Sequence, residues 1–167
     1  MPKLPSKILL VLLVVILSHS EVTLADPTIS VGIGKGAFGK SGTAFERAAA
    51  LGYEHTFPIG VFVRPELGWF MDISGHGKSS VFAAPLVGVR SGSRVGPEVH
   101  LAMGPGYLQN PDEVLGGHFQ FSLEGGIAMR DENFSIGVVW KHLSSAGFNM
   151  PNRGRDFITA QVRVHAF

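Results

Sequence analysis

The sequence contains no cysteine. That excludes a disulfide framework, a thiolate zinc site and a cysteine nucleophile. Charge is sparse: Asp, Glu, Lys and Arg make up 16% of the 167 residues, the formal net charge is +1, and no basic run occurs. Nucleic-acid binding therefore lacks its electrostatic footprint. Tryptophan and tyrosine number two each. Long apolar runs are lacking too: the longest, Ile8 to Leu17, spans ten residues, against the roughly 20 that a membrane-crossing helix needs. Glycine is plentiful at 22 residues, without a collagen period. A hydrophobic content of 45% excludes a disordered chain, and the length fits one domain.

Lys3 and Lys7 precede the apolar run, and Ser18-His19-Ser20 and Thr23-Leu24-Ala25 follow it. This charged, apolar, small-residue order is that of a cleavable secretory signal, with an uncleaved N-terminal anchor as the alternative. The expected division is a signal peptide over residues 1–25, removed after Ala25, and a single domain over 26–167.

That domain alternates in period two almost throughout. In 61–73, Val61, Val63, Pro65, Leu67, Trp69, Met71 and Ile73 share one face, and Phe62, Arg64, Glu66, Gly68, Phe70 and Asp72 the other. The segments 95–107 and 117–129 repeat the pattern, and weaker versions lie at 28–37, 47–57, 79–90, 134–145 and 155–167. Eight strands follow, mostly longer than the five or six residues common in soluble proteins and close to the ~9–11 that a tilted strand needs to cross an outer membrane. Tight connections at 56–59, 91–94 and 130–133 alternate with generally longer ones at 39–43, 73–79, 108–116 and 145–154. The expected fold is all-β, an eight-stranded antiparallel transmembrane β-barrel, with Phe167 out of phase in the last strand. Alternation leaves open a soluble barrel that buries its apolar stripe. The membrane reading rests on strand length, on the few charges of the opposite face, and on the lack of a helix after strand eight.

Strand seven places Phe134, Ile136, Val138, Trp140, His142 and Ser144 on one face, with Lys141 on the other. With Lys141 in the lumen, His142 and Ser144 face lipid. Strand eight puts Asp156 on its apolar face, near their level, towards the outer rim. Three polar groups on a lipid-facing stripe are costly unless they satisfy one another. One solution is a Ser-His-acid triad, in which the acid fixes the imidazole tautomer and the imidazole takes the serine proton. The other is a polar cluster at the membrane interface without chemistry.

The stretch His142-Leu143-Ser144-Ser145-Ala146-Gly147, then Pro151-Asn152-Arg153-Gly154, then Asp156, resembles the PagL family of outer-membrane lipid A 3-O-deacylases. Gly104-Pro105-Gly106-Tyr107 and Gly117-His118-Phe119-Gln120-Phe121 are similar to that family's strands five and six. The likeness covers roughly 100–167 by motif and the earlier strands by pattern alone. It implies an eight-stranded barrel with a hydrolase site on its outer wall, and no cofactor. It implies Ser144 as nucleophile, His142 as general base and Asp156, at a place often taken by Glu, as orienting acid. Backbone N–H groups near Ala146 and Gly147, with the Asn152 side chain, would receive the oxyanion. Ser145 stands where the family usually has Asn, a departure that bears on the oxyanion loop. The implied partners are lipid A or lipopolysaccharide in the outer leaflet and the membrane itself, with room for a homodimer. A catalytically inactive or structural small barrel is the rival reading.

Other candidates carry less. His100, His118 and His165 lack metal-ligand spacing, and lumen hydrogen bonding is expected for His100 and His118. Glu66, Asp72, Glu98 and Glu124 beside Arg64, Arg90, Lys141 and Arg163 read as the salt-bridged filling of a narrow lumen. Gly32-Ile33-Gly34-Lys35-Gly36 lacks the helix that a phosphate loop requires and reads as strand one. Trp69, Trp140, Tyr53 and Tyr107 read as sparse interface anchors. Lys40, Lys78, Arg153 and Arg155 fall in expected outer loops, either solvated or within reach of lipid A phosphates.

Overall fold

The structure, a computed structural model, describes residues 27–37, 47–57, 60–71, 79–92, 94–111, 115–148 and 154–165. Residues 1–26, 38–46 and 72–78, which include Lys40, Asp72 and Lys78, lie outside the described residues, as do Asn152, Arg153 and Phe167. Each alternating segment forms a strand: β1 (Pro27–Ala37), β2 (Arg47–Thr56), β3 (Val61–Met71), β4 (Ser79–Gly92), β5 (Gly96–Leu108), β6 (Phe119–Arg130), β7 (Phe134–Ser144) and β8 (Arg155–His165). Neighbours in sequence pair antiparallel, and β1 pairs β8, closing the barrel. Closure removes every sheet edge, the condition for placing strands in lipid.

Strict alternation gives the wall two chemistries. Leu67 (55% exposed), Met103 (62%), Ile127 (65%) and Val138 (50%) face outward, as do Pro65 and Trp69 of β3 and the even-numbered apolar residues of β7 and β8. A continuous apolar belt of this kind suits hydrocarbon and would be a liability in water.

The inward face is filled by an ion network. Arg64 pairs with Glu124 and lies 3.4 Å from Glu66 and 3.6 Å from Glu54. Arg90 meets Glu54 at 2.6 Å and Glu98 at 3.2 Å, Arg163 binds Glu98, and Lys141 binds Glu66 and lies 3.3 Å from Glu124. Buried charges persist only when paired in this way. The lumen also holds more apolar volume than charges and small residues alone would give: Phe62, Phe70, Phe82, Leu86 and Phe157 are buried there, with Phe70 stacked on Phe157 at 4.4 Å. Glycine makes the room. A Cβ at Gly88 would run into the Phe62 ring, and one at Gly106 into the Phe82 ring. Large rings set against glycine fill the narrow interior.

His100 is buried, 3.0 Å from Glu124, as expected of a lumen residue. His165 is also buried, 2.7 Å from Ser135 Oγ and 3.1 Å from Thr28 Oγ1. His118 is different. It is exposed at the rim, its Nδ1 2.9 Å from the Leu108 carbonyl and its ring stacked on Tyr107. The reason is that β6 begins at Phe119, so strand parity does not reach His118. Before it the chain turns inward: Leu115 is buried, and Gln120 Nε2 donates to the carbonyls of Leu115 (3.2 Å) and Gly117 (2.5 Å).

Candidate active site

β7 and β8 form one continuous antiparallel ladder from Phe134↔Val164 to Leu143↔Arg155, and its register sets His142 directly opposite Asp156. Alternation does the rest. Lys141 and Leu143 are buried, whereas Trp140 is exposed and His142, Ser144 and Asp156 are half-buried on the outer wall. A one-residue slip of β8 would send Asp156 into the lumen, away from His142. The continuous ladder therefore does for the site what a rigid scaffold must.

His142 Nδ1 lies 2.9 Å from Asp156 Oδ1. An ionised carboxylate only accepts, so the proton between them belongs to Nδ1; in the neutral imidazole Nε2 is then the acceptor, the tautomer that a general base uses. Trp140 Nε1–H donates to the same Oδ1 at 3.1 Å. The indole lies nearly parallel to the imidazole, with ring centroids 6.1 Å apart and planes 24° from coplanar. The imidazole also rests against Gly154, where a Cβ would sit 2.6 Å from His142 Cε1 and 3.0 Å from Nε2. Gly154 also has φ +65°, a left-handed backbone. Glycine is thus required twice at this position, by the backbone and by the ring.

Ser144 ends β7, two residues beyond His142 on the same face and opposite Phe121 of β6. Same-face neighbours in a strand have Cβ atoms about 6–7 Å apart, which puts the hydroxyl within reach of the imidazole. No hydrogen bond joins Ser144 to His142 in this structure. Hydrogen bonds between catalytic groups are often long without substrate and tighten in its presence.

Beyond Ser144 the chain makes a tight turn in which the Phe148 N–H donates to the Ser145 carbonyl at 2.9 Å. Its central residues, Ala146 (φ 51°) and Gly147 (φ 88°), both have positive φ, the signature of a type I′ turn. Ala146 is the one non-glycine residue with positive φ among the described residues. Such a backbone costs about 1–2 kcal/mol for an L-residue, and strain of this sort concentrates at functional loops. Ala146 and Gly147 are exposed next to Ser144, whereas Ser145 is fully buried, on the opposite side of the chain from Ser144. Asn152 lies outside the described residues, and Arg155 is half-buried at the start of β8.

Phe148 is 74% exposed, with its ring 6.0 Å from Phe119 and 6.1 Å from Phe121. These rings form an apolar shelf beside Ser144, on the side away from Asp156. Sequence reasoning treated Trp140 as an interface anchor, saw Gly154 as a turn residue and did not single out Phe148. The i, i+2 spacing of Trp140 and His142 was the available signal for the first. The other two depend on contacts between distant parts of the chain.

The model of the family described as lipid A 3-O-deacylase (PagL) matches residues 48–165. Among solved structures, the crystal structure of the outer membrane enzyme PagL superposes with a TM-score of 0.60 at 18% identity, covering 82% of this chain and 98% of that one. A de novo designed transmembrane β-barrel gives a TM-score of 0.60 at 11% identity, covering 88% and 99%. Neisserial surface protein A gives 0.60 at 9%, covering 86% and 98%. No curated protein sequence matches the chain. The likeness to the solved structures establishes the fold, a closed transmembrane-type β-barrel. The match to the family model, which extends over most of the sequence and includes His142, Ser144 and Asp156, places this chain in the lipid A 3-O-deacylase (PagL) family.

Proposed function

We propose that the protein is an outer-membrane esterase that hydrolyses the 3-O-linked acyl chain of lipid A through Ser144, His142 and Asp156. The observation that carries this reading is the 2.9 Å contact between His142 Nδ1 and Asp156 Oδ1 on the lipid-facing wall, with Ser144 next along the same face. A structural barrel has no need of a carboxylate, an imidazole and a hydroxyl there, where unpaired polar groups are costly.

Ser144 Oγ attacks the ester carbonyl while His142 Nε2 takes its proton, and Asp156 stabilises the imidazolium that forms. The tetrahedral oxyanion is received by the N–H groups of the Ala146-Gly147 turn and by Asn152. Collapse breaks the bond to the sugar oxygen, which takes the proton from His142 and leaves an acyl-Ser144. Water, deprotonated by His142, then attacks the acyl carbon. The acyl chain departs as a 3-hydroxy fatty acid, Ser144 regains its proton, and no cofactor takes part. Phe119, Phe121 and Phe148 offer the acyl chain an apolar bed beside the nucleophile.

The test is mass spectrometry of lipid A from a Gram-negative host that expresses this chain or its Ser144→Ala variant. Loss of one 3-hydroxyacyl chain with the native sequence alone is the expected result. Unchanged lipid A, with the native barrel folded in the outer membrane, refutes the reading.

A further inference from the structure

Two tryptophans face outward on this barrel, Trp69 on β3 and Trp140 on β7, exposed to 39% and 41%. Both lie towards the end of the barrel that carries Ser144. An interface anchor keeps its ring among headgroups and turns its N–H to water or lipid. Trp69 fits that description, for its indole makes no hydrogen bond to a described residue. Trp140 does not fit it. Its N–H is committed to Asp156 Oδ1 at 3.1 Å, the oxygen that also accepts from His142 Nδ1 at 2.9 Å.

Resting on the catalytic reading above, we propose that Trp140 is a positioning residue of the site. By sharing Asp156 Oδ1 with His142 it fixes the carboxylate where the imidazole needs it. One hydrogen bond leaves a carboxylate free to swing about its own side-chain bonds, whereas two donors converging on one oxygen hold it. The near-parallel stack of indole and imidazole brings both N–H groups to Oδ1 from β7, while the opposing register supplies the oxygen from β8. The arrangement also answers the cost of a carboxylate on a lipid-facing wall, where an anion without donors is strongly disfavoured. Trp140 touches neither the substrate ester nor the reacting atoms. It acts through Asp156 on the tautomer and orientation of His142.

The first readout is the indole N–H resonance of the refolded, ¹⁵N-labelled protein in a Trp69→Phe background, where one indole remains. The expected signal is shifted downfield by its carboxylate partner and returns to the position of a free indole in Asp156→Ala. The second compares Trp140→Phe, which keeps an aromatic ring and loses the donor, with the native protein. The expected results are loss or broadening of the His142 Nδ1–H signal and a kcat roughly tenfold lower, with KM within about twofold. A plain packing role would leave the imidazole proton in place. An indole signal that ignores Asp156→Ala overturns the proposal. So does a Trp140→Phe protein with the native His142 signal. A native protein that folds yet releases no fatty acid overturns the deacylase reading instead, and the two resonances then decide the role of Trp140 on their own.

Discussion

Replacing Gly154 by alanine adds one methyl group at the most crowded point of the site. Its Cβ would stand 2.6 Å from His142 Cε1 and 3.0 Å from Nε2. Carbon atoms pack at about 3.5–4.0 Å, so the ring must move by about 1 Å. Displacement on that scale takes the 2.9 Å bond to Asp156 beyond the range of a real hydrogen bond, about 3.2 Å. In the proposed mechanism it also moves Nε2 away from the path of the Ser144 proton. Misplacement of a catalytic group by about 1 Å costs roughly a hundredfold in rate. A separate cost falls on the backbone, because alanine at φ +65° is disfavoured by about 1–2 kcal/mol. Gly154 precedes β8, whose ladder starts at Arg155, so the barrel should still close. The assay is release of 3-hydroxy fatty acid from lipid A by purified, refolded barrel, with folding checked by circular dichroism. Expected is a roughly hundredfold drop in kcat with native strand content. Gly154→Asn separates the two costs, since asparagine tolerates left-handed φ but carries the same Cβ. It should be as impaired as alanine. Alanine activity within threefold of native, or recovery with asparagine, would refute a steric role for this glycine.

Two further substitutions probe the scaffold and the shelf. Glu124 is fully buried among Arg64, Lys141 and His100; Glu124→Gln should lower barrel stability by about 3–5 kcal/mol, read as the urea midpoint of folding into lipid vesicles. Phe148 is 74% exposed, so Phe148→Ala should leave stability unchanged. Loss of its apolar contact, about 1 kcal/mol, should raise KM for long-chain substrates roughly fivefold and leave short-chain esters unaffected.

Much of this architecture was legible because a closed barrel enforces a single periodicity. Every wall residue must face lipid or lumen, so the alternation in 61–73 and the lumen parity of Arg64 and Glu66 are written directly in the sequence. The opposition of His142 and Asp156 followed from strand parity and a hairpin, both local properties. Legibility failed where parity stops or where distance in the chain is spanned. His118 was assigned to the lumen by extending the alternation of β6 past its first residue, and the Leu115 plug redirects the chain there. The phenylalanines of the lumen are accommodated by glycines on neighbouring strands, Gly88 for Phe62 and Gly106 for Phe82, a match visible only once the strands are in register. The second bond of Asp156 needs a particular orientation of the Trp140 ring, which no pattern of residue types specifies.

The placement of the site divides the barrel into two regimes with opposite demands. The lumen network around Arg64, Glu124 and Lys141 gains from dense ion pairing, and nothing in it needs to move. The proposed mechanism instead asks the wall site to keep one acceptor, His142 Nε2, and one hydroxyl, Ser144 Oγ, available while facing a medium that penalises unsatisfied polar groups. The strands reconcile the two. Lys141 and His142 are adjacent in β7 and point to opposite faces, so the ion network that clamps Lys141 inside also fixes the backbone that presents His142 outside. The polar demand on the wall is then met sideways, by Asp156 accepting from both His142 and Trp140, a bond that engages Nδ1 and not Nε2. On this argument, rigidity at the lipid-facing site is inherited from the charged interior through a single peptide bond.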